Sequence, residues 1–233
     1  MASSFFDKLP EGDDGQHTDG PDGSAATVLQ AYFDALALFD GEGSALLPEP
    51  AVREQSERFA YHPVVAQLGG YVLDDADTSD HHVLVTRSPL AGSVLFLAHD
   101  ADTRIVFDSC AAFLAAVREA RESDVDVTDL HPAQSPVAKD QGALSAFVRG
   151  LLASDELSDV VVCLVPSLDL SDIDLLQRLV QDEDFFLGEA VANEIAKRPS
   201  PALLPVAQLC AAHRHPQVAR AGERALQRVR QAG

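Results

Sequence analysis

The chain has 233 residues, 46% of them hydrophobic, and a formal net charge of −20. That length suits one or two domains, and that apolar fraction fills a core, so global disorder is excluded. The acidity disfavours nucleic acid and anionic lipid, and no apolar run approaches the roughly 18 residues of a membrane span; the most hydrophobic, Val160–Val165, ends at Pro166.

The charge is unevenly spread. Residues 1–195 carry a net charge of −26 and residues 196–233 one of +6. The N-terminus, "MASSFFDKLPEGDDG", has neither a basic nor an apolar signal region, so it does not read as a secretory signal. Cys110, Cys163 and Cys210 are odd in number, widely spaced and set in apolar stretches, as expected of reduced core thiols in a cytoplasmic protein.

Residues 1–23 read as a flexible leader, rich in Gly, Pro and Asp. A calcium loop counted from Asp13 fails, because its twelfth position is Ser24. Ser24 then caps a helix with Val28, Leu29, Tyr32, Leu36 and Phe39 at helical spacing, closed by Gly41 and Gly43. A short helix over 51–60 follows, before His62-Pro63.

The period next changes to that of strands: 69–73, 81–86, 93–99 and 103–107 are short and rich in β-branched or aromatic residues. Their connections are too short for parallel crossovers, which predicts an antiparallel meander. Asp108 or Ser109 caps a helix whose Cys110, Phe113, Leu114 and Val117 share one face. An α+β domain over 24–122 is the result.

Residues 123–141, with two prolines among acidic and small residues, read as a linker. Residues 142–233 are helical throughout, in six segments punctuated by Pro, Ser or Asp. Leu187, Ala190, Val191 and Ile195 recur as Val218, Ala221, Gly222 and Leu226 at a spacing of 31, which suggests stacked helical hairpins.

The stretch "GGYVLDDADTSDHHVLVTRSPLAGSVLFLAHDADTRIVFDSCAAFLAAVREA" (69–120) resembles the SUKH superfamily, bacterial proteins that are mostly immunity proteins against polymorphic toxins. An apolar strand ending in an acidic turn, a Gly-containing connection, "HD" and a strand entering a helix carry the likeness. The segment "HPQVARAGERALQRV" (215–229) is similar to HEAT repeats. The first resemblance implies a curved antiparallel sheet flanked by helices and a non-catalytic, protein-binding role.

Motifs for phosphate loops, dinucleotide loops, nucleophile elbows and His-Glu-x-x-His metal sites do not occur. Three constellations invite chemistry. In "DDADTSDHH" (74–82), His81 and His82 on a strand point to opposite faces and cannot both chelate one ion without a bulge. Calcium spacing fails there too, since the twelfth residue from Asp75 is Thr86. The stretch is therefore expected to be an exposed acidic hairpin loop, with Asp74, Asp75, Asp77, Asp80 and His82 the candidate partner contacts. Cys210, His213 and His215 suggest zinc but have no fourth ligand. Arg220, Arg224 and Arg228 form a helix stripe too small for nucleic acid beside so acidic a body.

The reading that results is a non-catalytic module without cofactor or metal, which neutralises a cognate toxin, nuclease-like or otherwise basic, through an acidic surface. A regulatory scaffold with several weaker partners is the alternative, and a metal-dependent enzyme using the 74–82 cluster is the third. Neither nucleic acid nor membrane is an expected partner, and the oligomeric state stays open.

Overall fold

The computed structural model describes residues 23–39, 44–75, 79–100, 102–153 and 157–233. Strands β1 (Gly70–Val72), β2 (His81–Val85), β3 (Val94–Leu97) and β4 (Arg104–Phe107) form one antiparallel sheet in the order β1-β2-β3-β4. The architecture is α+β with a small meander followed by a helical C-terminal part, as the patterning predicts. Register places Tyr71 opposite Leu84, Val83 opposite Leu95 and His82 opposite Phe96.

Helices α1 (Gly23–Ala37), α2 (Glu49–Phe59) and α3 (Pro63–Leu68) precede the sheet. The sequence reading stopped at His62-Pro63 and missed α3. Proline suits the first helical turn, where its absent N–H would have no partner. Gly69, at φ +58, ends α3, and a Cβ there would lie 2.7 Å from the Thr86 hydroxyl. The glycines expected to close α1 lie outside the described residues.

Helix α4 (Cys110–Ser123) follows β4, and the Ser109 hydroxyl caps it by accepting the Ala112 amide. It covers one face of the sheet together with α1. Tyr32, Leu84, Val94, Val106 and Phe113 form that core. The other face packs on helices from both ends of the chain. Val83, Leu95 and Ile105 share a single core with Val65 and Leu68 of α3, with Leu164 and, farther on, with Val191, Val206 and Val229.

The C-terminal helices are α5 (Gln141–Leu151), α6 (Ser158–Leu164), α7 (Ile173–Val180), α8 (Phe185–Lys197), α9 (Leu204–Ala211) and α10 (Pro216–Gln231). Asp140, Asp172 and Asp184 cap α5, α7 and α8 through their carboxylates. Two glycines sit at close approaches between these helices. A Cβ on Gly222 of α10 would lie 2.3 Å from the backbone of Cys210 and Ala211 in α9, and one on Gly188 of α8 would lie 3.2 Å from Val218.

Residues 123–141, expected to be a linker, join α4 to the C-terminal helices and are tied to the body by hydrogen bonds. Val127–Leu130 form a 3-10 turn capped by Asp126. Arg104 of β4 donates to the Pro132 carbonyl at 2.6 Å, and Ala138 donates to the Ser167 carbonyl at 2.9 Å. Tertiary hydrogen bonds satisfy a proline-containing backbone that no helix or sheet could use. Among the described residues, no helix is long and apolar enough to cross a membrane.

Candidate functional site

Asp74 follows β1 by two residues and is pinned at both ends of its carboxylate. One oxygen accepts the His82 amide at 2.9 Å, and the other accepts the His82 ring Nδ1–H at 2.5 Å. An isolated bridge between Leu46 and Asp74 extends the local pairing, with the Asp75 amide donating to the Ala45 carbonyl at 3.0 Å. Asp74 is only 7% exposed and His82 only 2%. Burial works against the Asp74 charge, but hydrogen bonds from His81 and His82 outweigh it and hold the carboxyl below its ordinary range.

His81 and His82 point to opposite faces of β2, as strand geometry requires. His81 lies edge-on to Phe59 of α2 at 4.8 Å, and its Nδ1–H donates to the Asp74 carbonyl at 3.2 Å. Its bonding to Asp74 raises its pKa against the cost of burial. His82 sits in an aromatic cage of Phe96 (5.2 Å), Phe113 (4.9 Å) and Phe107 (6.4 Å).

The chain of polar contacts continues through His131, which follows the 3-10 turn. The Nε2 atoms of His82 and His131 are 2.8 Å apart. Because His82 donates its Nδ1–H to Asp74, the neutral arrangement has His82 Nε2 accepting from His131 Nε2–H. His131 rests edge-on against Phe96 at 4.7 Å and Phe107 at 5.7 Å. Desolvation, with the charges of His82 and Arg104, pushes its pKa down to about 4, against the pull of Asp126 and Asp74.

This row forms part of the wall of a cavity of about 520 Å³ bounded by β2 and β3, the end of α4 and residues 124–128. Leu46, Phe96, Val117 and Val127 supply apolar walls, while Asp80, Asp124 and Asp126 add carboxylates beside the Arg121 guanidinium. Asp80 also accepts the His99 amide at 2.7 Å, and Asp126 accepts the Thr128 amide at 2.8 Å.

The expected exposed loop is therefore corrected at two positions. Asp74 and His82 are buried and hydrogen-bonded to each other rather than exposed. Asp75 is exposed, Asp80 is half-buried at the cavity, and Asp77 lies outside the described residues. Sequence reasoning missed His131, Asp124 and Asp126. The available signals were the Asp126-Val127-Thr128 turn cap and the apolar pair Val127 and Leu130, three residues apart.

Both ring nitrogens of His82 are engaged, and the Thr128 hydroxyl donates to Asp126 rather than to a histidine. No group of three or more His, Cys, Asp or Glu side chains is arranged to hold a metal ion among the described residues. Cys210 is buried beneath Gly222, His213 Nδ1 accepts the His215 amide at 3.0 Å, and His215 stacks on Phe185 at 3.7 Å. In the arginine stripe, Arg224 donates to Asn193 at 3.2 Å.

Comparison with protein-family models, curated proteins and solved structures finds no match to this chain, so the likeness to the SUKH superfamily rests on residues 69–120 alone.

Proposed function

We propose that this chain is a non-catalytic protein-binding module of the cytoplasm that neutralises a basic partner, such as a nuclease-type toxin, through the acidic cavity and its rim. The observation that carries the reading is the charge of that rim: Asp80, Asp124 and Asp126 line it beside Arg121, with Asp75 exposed nearby. The net charge of −20 deepens the potential, which favours a cationic surface and speeds its encounter. Apolar walls beneath the carboxylates suit the aliphatic stem of a lysine or arginine. The engaged nitrogens of His82 argue against catalysis, and the three free thiols suit a reducing compartment.

The test uses the polypeptide encoded beside this gene, titrated calorimetrically with the purified chain. The expected result is a one-to-one complex that weakens on the order of tenfold or more between low and high salt. The triple variant Asp75→Asn, Asp80→Asn, Asp124→Asn should weaken it further without changing the fold, since asparagine keeps the Asp80 acceptor and tolerates the left-handed backbone of Asp124. Loss of a nuclease activity on mixing would identify the partner as a toxin. Salt-insensitive binding, or binding unchanged in the triple variant, would overturn the acidic-rim reading, while weak binding of several unrelated proteins would favour the scaffold.

A further inference from the structure

We infer that the His82–His131 contact is a proton-sensitive latch, which holds residues 125–131 over the acidic cavity at neutral pH and releases them on acidification. The effect on a partner rests on the binding role proposed above, whereas the latch itself belongs to the chain alone.

The geometry makes the contact binary. Two Nε2 atoms 2.8 Å apart share one hydrogen, and Asp74 fixes the proton on the far side of the His82 ring. With one proton between the rings, the contact is a hydrogen bond. When both rings are charged, two N–H groups face each other and two cations abut among Phe96, Phe107 and Phe113. The ring less enclosed is His131, half-buried where His82 is 2% exposed, so His131 is the one that can leave.

The charged groups facing His131 come from several elements. His82 lies on β2, Arg104 on β4, Asp74 just after β1, and Asp126 on the segment itself. His82 and Arg104 repel an imidazolium there, while Asp126 and Asp74 attract it, and the balance opposes protonation. Low pH therefore weakens the contact.

Two anchors confine the movement to a short segment. Asp124 ends α4 in a left-handed conformation, its amide bonded to carbonyls of the last helical turn. Pro132 is held by the 2.6 Å bond from Arg104. Between them, Val125 to Thr128 line the cavity, Val127 and Leu130 pack on the core beneath α4, and His131 makes the hydrogen bond to the buried histidine row. Loss of that contact frees a cavity wall without dismantling α4 or the sheet.

The test reads the isolated chain by amide hydrogen exchange at about pH 7 and about pH 4.5, corrected for intrinsic rates. Amides of residues 125–131 should lose at least about tenfold protection at the lower pH, while those of α10 keep theirs. The variant His131→Gln retains a neutral N–H donor toward His82 but takes up no proton, so its segment should stay protected at both pH values. His131→Phe, which keeps the aromatic packing, provides a second proton-blind variant. Equal protection of 125–131 in the wild type at both pH values overturns the latch, as does an equal loss in His131→Gln. If the latch responds but partner affinity does not follow pH, the latch stands and the cavity is not the binding site.

Discussion

Gly222→Ala provides the sharpest test of how the C-terminal helices are held together. A Cβ at position 222 would lie 2.3 Å from the Cys210 carbonyl carbon and the Ala211 amide nitrogen, and 2.7 Å from the Cys210 Cβ. These atoms belong mainly to backbone, so relief requires α9 and α10 to separate rather than a side chain to turn. Overpacking of this kind costs about 3 kcal/mol, at the upper end for an added methyl group. Alanine returns about 1 kcal/mol through its better helix propensity, which leaves a net loss of about 2 kcal/mol. For a chain of this size that lowers Tm by about 4–8 °C. Gly150→Ala in α5 is the internal control. Nothing lies within 4 Å of its would-be Cβ, so only the propensity gain acts and Tm should rise by a few degrees. Melting followed by circular dichroism resolves both. A Gly222→Ala protein as stable as wild type would show that the close α9–α10 approach does not exist in solution.

Asp74→Ala strips the amide and the ring N–H of His82 of their shared carboxylate in a buried setting and should cost about 3–5 kcal/mol, read as a lower urea midpoint. The pH dependence carries a matching sign. The Asp74 carboxyl is held below its ordinary range, so the stability it confers is present above its unfolded pKa and lost as pH falls through the folded one. His131 adds acid lability between its ordinary value of 6.5 and about 4, because folding opposes its protonation in that window. Arg198 donates to the Leu168 and Pro166 carbonyls and to Glu194, which is 3% exposed. Arg198→Ala should therefore cost about 2–4 kcal/mol by the same denaturation assay. Burial pushes the Cys110 thiol up to about 11 and those of Cys163 and Cys210 up to about 12. None should react promptly with a thiol reagent near pH 8 in the native protein, and all three should react in denaturant.

The meander was legible because Val83, Val85, Leu95 and Ile105 alternate with side chains of the opposite face and the connections are too short for crossovers. The capped helices were legible for a comparably local reason, since Ser109 and Asp172 stand directly before apolar periodic runs. The histidine row was not legible. Asp74 and His82 have the composition of an exposed turn, and periodicity cannot distinguish that from a buried hydrogen-bonded pair. Their third member lies 49 residues from His82, in a stretch that two prolines make look like a linker. Helix α3 was missed through Pro63, which breaks a helix interior but begins a helix well.

The shared core also constrains how the chain is made. Val83, Leu95 and Ile105 present one face of the sheet to side chains as distant as Leu164. During synthesis that face emerges long before its cover and stays open while α5 and α6 are translated. Closure over such sequence separations is slow. The sheet is thus a late-maturing surface, and a nascent chain halted near residue 122 would display an apolar face to the cell's chaperones.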